Sequence, residues 1–152
     1  MQEQLYLDDL AVGRRFATGT HLIDSSQIKR FAAEYDPQPF HLDEEAANNT
    51  FFHGLAASGW QVVAITMRLI VSSGLPIAGG NIGAGAEISW PRPTRPGDVL
   101  RATGEIVDVQ PSRSKPDRGM LTLKIETFNQ KDEVVQVMIV RQLVFRRPPQ
   151  PG

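Results

Sequence analysis

Apolar positions along the chain recur with a helical period up to about residue 73 and alternate after it. A short run, Arg14 to Thr18, lies between the isolated glycines Gly13 and Gly19 and reads as a first strand. Asp24-Ser25-Ser26-Gln27 reads as a helix start. Asp24 can cap, and Gln27 sits three residues on, where it can reach back. Ile28, Phe31, Ala32 and Tyr35 follow at i, i+3, i+4 and i+7, forming one apolar stripe. Asp36-Pro37 ends this helix, because a residue before proline is pushed out of the α region. Pro39 repeats the restraint, so 36–41 is predicted to be a stiff, non-helical loop. Asp43 can cap a short second helix, Glu44 to Asn48. Gly54 to Ser73 reads as a long helix, apolar nearly all round and so expected to be enclosed by other structure. Gly74 and Pro76 end it.

Then the period becomes two. Ala84, Ala86, Ile88 and Trp90 alternate with Gly85, Glu87 and Ser89. Leu100, Ala102, Gly104 and Ile106 alternate with Arg101, Thr103 and Glu105, and Leu121, Leu123 and Ile125 with Thr122, Lys124 and Glu126. Val134 to Phe145 is β-branched and mostly apolar, as expected of a strand covered on both faces. Pro91 to Asp98 is a proline-rich connection, Gln110 to Gly119 a polar loop, and Asn129 to Asp132 a hairpin turn. Strands joined by short turns pair antiparallel. An antiparallel sheet curved around one apolar helix is the α+β arrangement called the hot-dog fold.

The length of 152 residues predicts a single domain over 1–152 with short flexible termini, and 41% hydrophobic residues suffice for a core. Sixteen basic against 17 acidic residues give a net charge of −1, which is no footprint for nucleic acid. The absence of cysteine excludes disulfides, thiolate metal sites and a cysteine nucleophile. The N-terminal residues lack the charged-then-apolar layout of a secretory signal. The longest apolar run, Leu55 to Val71, is interrupted by Gln61 and Arg68, so a buried helix is expected rather than a membrane span. A cytoplasmic protein is the simplest expectation.

The loop at 36–41 places a carboxylate and an imidazole five positions apart, Asp36 and His41, with two prolines between them. Proline restricts the chain before folding, so fixing the loop costs less entropy. A bend would bring both groups to one water, which is a general acid–base device. On spacing alone, a turn aspartate and a loop histidine are the commoner reading. Gly79 to Gly85 is glycine-rich without the spacing of a phosphate loop, and a strand against which something packs closely suits it better. His53 reads as support for a helix start or as a second imidazole near the site. Ser58 and Gln61 can line a pocket from the long helix, and no role is assigned to His21. The histidines lack the spaced partners of a metal site, and no cofactor is implied.

Asp36-Pro37-Gln38-Pro39-Phe40-His41-Leu42-Asp43, between Phe31-Ala32-Ala33 and Ala46-Ala47, resembles the hydratase motif of the MaoC-like dehydratases, the R-specific enoyl-CoA hydratase group. That motif runs Gly-Asp-x-Asn-Pro-x-His before a short acidic helix. Asp36, Pro39 and His41 match it; Tyr35 stands in place of the glycine and Gln38 in place of the asparagine. His53-Gly54-Leu55 is similar to the family's His-Gly-Met/Leu before its central helix. Arg92-Pro93-Thr94-Arg95-Pro96-Gly97-Asp98 is similar to its proline-rich lead into a strand.

The resemblance implies reversible hydration of a trans-2-enoyl thioester to a 3-hydroxyacyl thioester, with acyl-CoA as substrate and no metal. Asp36 and His41 would hold and activate the water, with the proton acceptor left open between them. The Gly54 N–H would stabilise the thioester oxyanion, a contribution of about 2.7–4 kcal/mol. Gln38, His53 and Ser58 would border the substrate. Arg92, Arg95, Arg113, Lys115 and Arg118 could meet the phosphates of coenzyme A. A homodimer joined at sheet edges is expected, with no membrane or nucleic-acid partner. Two rival readings are a thioesterase on the same fold and a non-catalytic acyl-CoA-binding subunit of a heteromeric hydratase. The thioesterase would need an acid on the central helix, and 55–73 contains neither Asp nor Glu.

Overall fold

The structure, a computed structural model, describes residues 3–150. The outermost residues, where flexible ends are expected, lie outside that range. Five strands form one antiparallel sheet in the order β1-β3-β4-β5-β2. They are β1 (Arg15–Leu22), β2 (Ile82–Ser89), β3 (Val99–Pro111), β4 (Arg118–Phe128) and β5 (Val134–Phe145). Four helices precede β2: α1 (Ser25–Tyr35), α2 (Pro39–Leu42), α3 (Glu44–Ala47) and α4 (Gly59–Ser73). The sheet curves around α4, which packs on β1 and β3, and this is the hot-dog fold. Among the described residues no helix is long and apolar enough to cross a membrane.

Alternation in the sequence sets the inner face of the sheet. Leu100, Ala102, Ile106, Leu121, Leu123 and Ile125 are all buried; Leu100 packs in a cluster with Val62, Ile65 and Leu69 of α4, and the others in a second cluster with Ile70. Gly104 is needed there. The Phe16 ring of β1 lies over it, and a Cβ at this position would come within 2.2 Å of that ring. Gly85 on β2 is likewise covered, by the Arg141 guanidinium, which is the close packing expected of the glycine-rich stretch. The turn after β4 is organised by Asn129, whose Oδ1 accepts the N–H groups of Lys131 at 2.9 Å and Glu133 at 3.1 Å.

Four expectations need correction. The segment 36–41 is not wholly extended. Pro39 occupies the first position of a one-turn helix, where its fixed φ is favourable and its missing N–H costs nothing. The long helix starts at Gly59 rather than Gly54. Gly54 has φ 151°, outside the helical region, and 55–58 runs extended, with Ala56 N–H donating to Phe40 and Ala57 N–H to Thr94. In the single chain α4 is not enclosed, because Trp60 and Val71 are 60% and 65% exposed along one stripe with Met67. Finally, β5 is deeply buried on one face and only partly on the other.

Candidate active site

Asp24 starts the path to the site, accepting the Gln27 N–H at 2.8 Å as the cap of α1. Gln27 does not reach back to it; its side chain goes to His21 at 3.0 Å and to the Leu22 carbonyl. The α1 helix then runs to Tyr35 and delivers Asp36 at its C-terminal end. One turn later α2 presents His41, and Asp43 caps α3 by accepting the Ala46 N–H at 2.9 Å. The two prolines thus turn a sequence spacing of five into direct proximity. His41 Nε2 lies 3.3 Å from Asp36 Oδ2.

Each group is oriented by a second partner. His41 Nδ1 sits 2.6 Å from the carbonyl of Ala56. A carbonyl only accepts, so Nδ1 carries a proton, and Nε2 is the nitrogen that faces Asp36. The His41 ring is buried between aromatic neighbours, with Phe40 edge-on at 4.6 Å. Asp36 accepts from Gln38 Nε2 at 2.5 Å through Oδ1 and from Ser58 Oγ at 2.7 Å through Oδ2. Burial pushes the Asp36 carboxyl up, but the hydrogen bonds from Gln38 and Ser58, with His41 beside it, outweigh it. They leave the group below the usual carboxylate range, as an anion.

Ser58 links this pair to the central helix. It occupies the N-cap position of α4 but caps nothing, because its hydroxyl is given to Asp36. The first amides of the helix, Gly59 and Trp60, consequently find no hydrogen-bond acceptor among the described residues. Such amides, at the positive end of the helix dipole, favour negative charge. A cleft of about 520 Å³ brings Asp36, Gln38, His41 and Gly59 together, with Trp60 and Trp90 along its wall.

Gly54 is not in this constellation. Its N–H donates to the Ala47 carbonyl at 3.1 Å, and it lies five residues before the helix. The amide to which the resemblance gives the oxyanion role is thus paired within the chain and stands away from the helix terminus, which is at Gly59. His53 is exposed, sits at positive φ (52°) and does not line the cleft. Gln61 turns away, donating to the Gln27 carbonyl at 3.1 Å. Of the cations suggested for phosphates, Arg95 is structural. Its guanidinium donates to the carbonyls of Phe52, Gly54 and Leu55 and so holds the turn that leads to Ala56. Arg92 lies against Glu133 and Arg118 against Asp117. Among the described residues no cluster of His, Asp and Glu could hold a metal ion.

Residue reasoning missed three parts: the Ala56 carbonyl, the Gly59 amide and Trp90. Ser58-Gly59 carried a usable signal, since serine is a preferred N-cap, but the His53-Gly54 match drew the helix start five residues too early. The Ala56 carbonyl has no side-chain signature.

Comparison with known proteins agrees with the fold. Residues 10–127 match the model of the MaoC like domain. A MaoC-like dehydratase from Rhodospirillum rubrum is 56% identical, superposes with a TM-score of 0.93, and the alignment covers 95% of this chain and 99% of that one. YdeM of Bacillus subtilis, an uncharacterized protein, is 38% identical over 129 residues, 83% of this chain and 89% of that protein. The unliganded R-hydratase PhaJ1 of Pseudomonas aeruginosa shares the fold at 24% identity, with a TM-score of 0.73 over 98% of this chain and 95% of that one.

Proposed function

The chain belongs to the MaoC-like dehydratase domain family, and we propose that it adds water reversibly across the double bond of a trans-2-enoyl thioester. The observation that carries this reading is the Asp36–His41 pair, 3.3 Å apart at a cleft that also holds the unpartnered Gly59 amide. Acid–base chemistry on a neutral, activated double bond needs these parts: a base that can return its proton, an anion to orient water, and a donor for developing negative charge.

In this mechanism one water, on the cleft side of the pair, is held by both the Asp36 carboxylate and His41 Nε2. Asp36 is held anionic, which makes it a good acceptor for one water hydrogen and a weak base. Nε2, with its partner nitrogen protonated against Ala56, takes the other hydrogen. As the water oxygen bonds to C3, the electron pair of the double bond moves through C2 to the thioester oxygen. The Gly59 N–H, in place of Gly54, meets that oxygen. The proton on Nε2 then goes to C2, so one water has added and the dyad is restored. Gln38 departs from the asparagine of the family motif, yet its amide reaches Asp36 as a donor.

Coenzyme A is the acyl carrier we favour, with the long polar part outside the cleft. We also propose a homodimer. The edge strand β2 is largely exposed and carries one charge, Glu87, and α4 presents the open stripe of Trp60, Met67 and Val71. An open edge and an open apolar face on one chain are both relieved by a second copy.

The test is hydration of crotonyl-CoA, repeated with Asp36→Asn and His41→Ala. Wild-type turnover that both variants abolish is the expected result, and unchanged rates in both variants would remove the assignment. Release of free thiol would instead indicate a thioesterase. Binding of acyl-CoA without turnover would indicate the non-catalytic subunit.

A further inference from the structure

The helix–sheet interior beside the cleft is closed by a polar cluster, and its consequence for substrate choice follows from which groups it satisfies. Trp90, just after β2, lines the cleft with one edge and donates its indole N–H to Gln136 Oε1 at 2.8 Å. Gln136 lies on β5 and is fully buried. Its amide donates to Thr66 Oγ1 of α4 at 3.2 Å, and Thr66 pairs with Thr127 Oγ1 of β4 at 2.8 Å. Thr66 and Thr127 are fully buried as well. The chain Trp90–Gln136–Thr66–Thr127 thus bridges helix and sheet directly behind the part of the cleft wall that Trp90 forms.

The region behind that wall is neither empty nor apolar. An alkyl chain inserted there would separate buried hydrogen-bonding groups from their partners, a cost that its own burial does not offset. Trp90 is 41% exposed on its outer side and is fixed from the inner side. Its ring packs directly on the backbone of Gly59, so closely that a Cβ on that residue would come within 2.5 Å of it. Trp60 meets the ring edge-on, with centroids 5.6 Å apart.

Resting on the hydratase reading for the chemistry, we propose that Trp90, pinned by Gln136, is the residue that limits the acyl group to a short one. The enzyme then acts on short trans-2-enoyl thioesters and excludes long-chain ones from the interior. The four side chains do not touch the reacting atoms; Trp90 acts on specificity, and Gln136 positions Trp90.

The experiment is a chain-length series, crotonyl-, hexenoyl-, octenoyl- and decenoyl-CoA, with kcat/KM measured for the wild-type protein and for Trp90→Ala. The expected result is a fall of about tenfold or more between the shorter and longer pairs in the wild type, the scale on which an apolar pocket discriminates size. In Trp90→Ala the ratio should move by a similar factor toward the longer chains. A flat or rising wild-type series, or a ratio unmoved by Trp90→Ala, overturns the proposal. If Trp90→Ala does not fold, Trp90→Leu replaces it, and the wild-type series decides independently. Should no thioester turn over, the hydratase reading fails, and the affinities of butyryl- and decanoyl-CoA test the wall separately: preference for butyryl-CoA supports it, equal or inverted affinity overturns it.

Discussion

Two polar clusters hang from the same helix, about two turns apart, and they are built to opposite ends. At the N-cap of α4, Ser58 joins Asp36, Gln38 and His41 in a cluster that carries a charge and opens to a cleft. Further along, Thr66 joins Thr127, Gln136 and Trp90 in a cluster that is neutral and closed. The contrast shows where a fold can keep charge. A carboxylate is stable beside water or several donors and expensive without them, whereas hydroxyls and amides can be sealed in if each finds a partner. The open cluster keeps acceptor capacity on Asp36 and a nitrogen on His41 for a reactant. The closed one contributes shape.

The comparison predicts that substitutions in the two clusters fail in different ways. The largest effects belong to the open one. Asp36→Asn and His41→Ala should each lower kcat for enoyl-CoA hydration by about 10²–10⁴-fold, with circular dichroism showing a retained fold. Ser58→Ala removes a hydrogen bond to a charged acceptor, worth about 1.5–3 kcal/mol, and should reduce kcat/KM by roughly tenfold or more. It should also shift the Asp36 carboxyl back up toward its usual range, which a carboxyl-resolved NMR titration reads. In the closed cluster, Thr66→Val strips Gln136 of its nearer acceptor and should cost about 1–3 kcal/mol of stability, measured by denaturant unfolding. Turnover per folded molecule of the short substrate should then change far less than in Ser58→Ala.

The smallest effect is the pH dependence. Asp36 is held below its ordinary value, so folding favours its ionised form. That contribution is complete above the unfolded value of about 3.9 and is lost as pH falls through the depressed folded value. The stability difference between wild type and Asp36→Asn should therefore shrink on acidification below about pH 4, relative to its value at neutrality. A gap that widens there would contradict the hydrogen-bonded anion.

Legibility in the sequence followed the same division. Strand alternation located Leu100 to Ile106 and Leu121 to Ile125 because one buried face imposes a period of two. The Asp36–His41 spacing alone favoured an ordinary turn, and the resemblance of 36–43 to the hydratase motif is what pointed to the open cluster. The start of α4 was misplaced because His53-Gly54 looks like a helix opening, while the actual boundary depends on non-local bonds from 56–57 to Phe40 and Thr94 and on the Arg95 clamp. Arg95 itself looked like a phosphate cation, since nothing local marks a guanidinium that will meet three carbonyls. The closed cluster was invisible for a similar reason: Thr66, Trp90, Thr127 and Gln136 come from four elements, and only the folded register brings them together. Exposure of the α4 stripe likewise depends on what a single chain leaves uncovered.

The central claim is that Asp36 and His41 act as a unit on one water, and a double-mutant cycle addresses it most directly. Hydration of crotonyl-CoA would be followed for wild type, Asp36→Asn, His41→Ala and the combined variant. Groups sharing one reactant are strongly non-additive, so the combined variant should lose no more activity than the worse single one. Losses that multiply, as for independent sites, would contradict the shared water, and an active His41→Ala would contradict the proton path through Nε2.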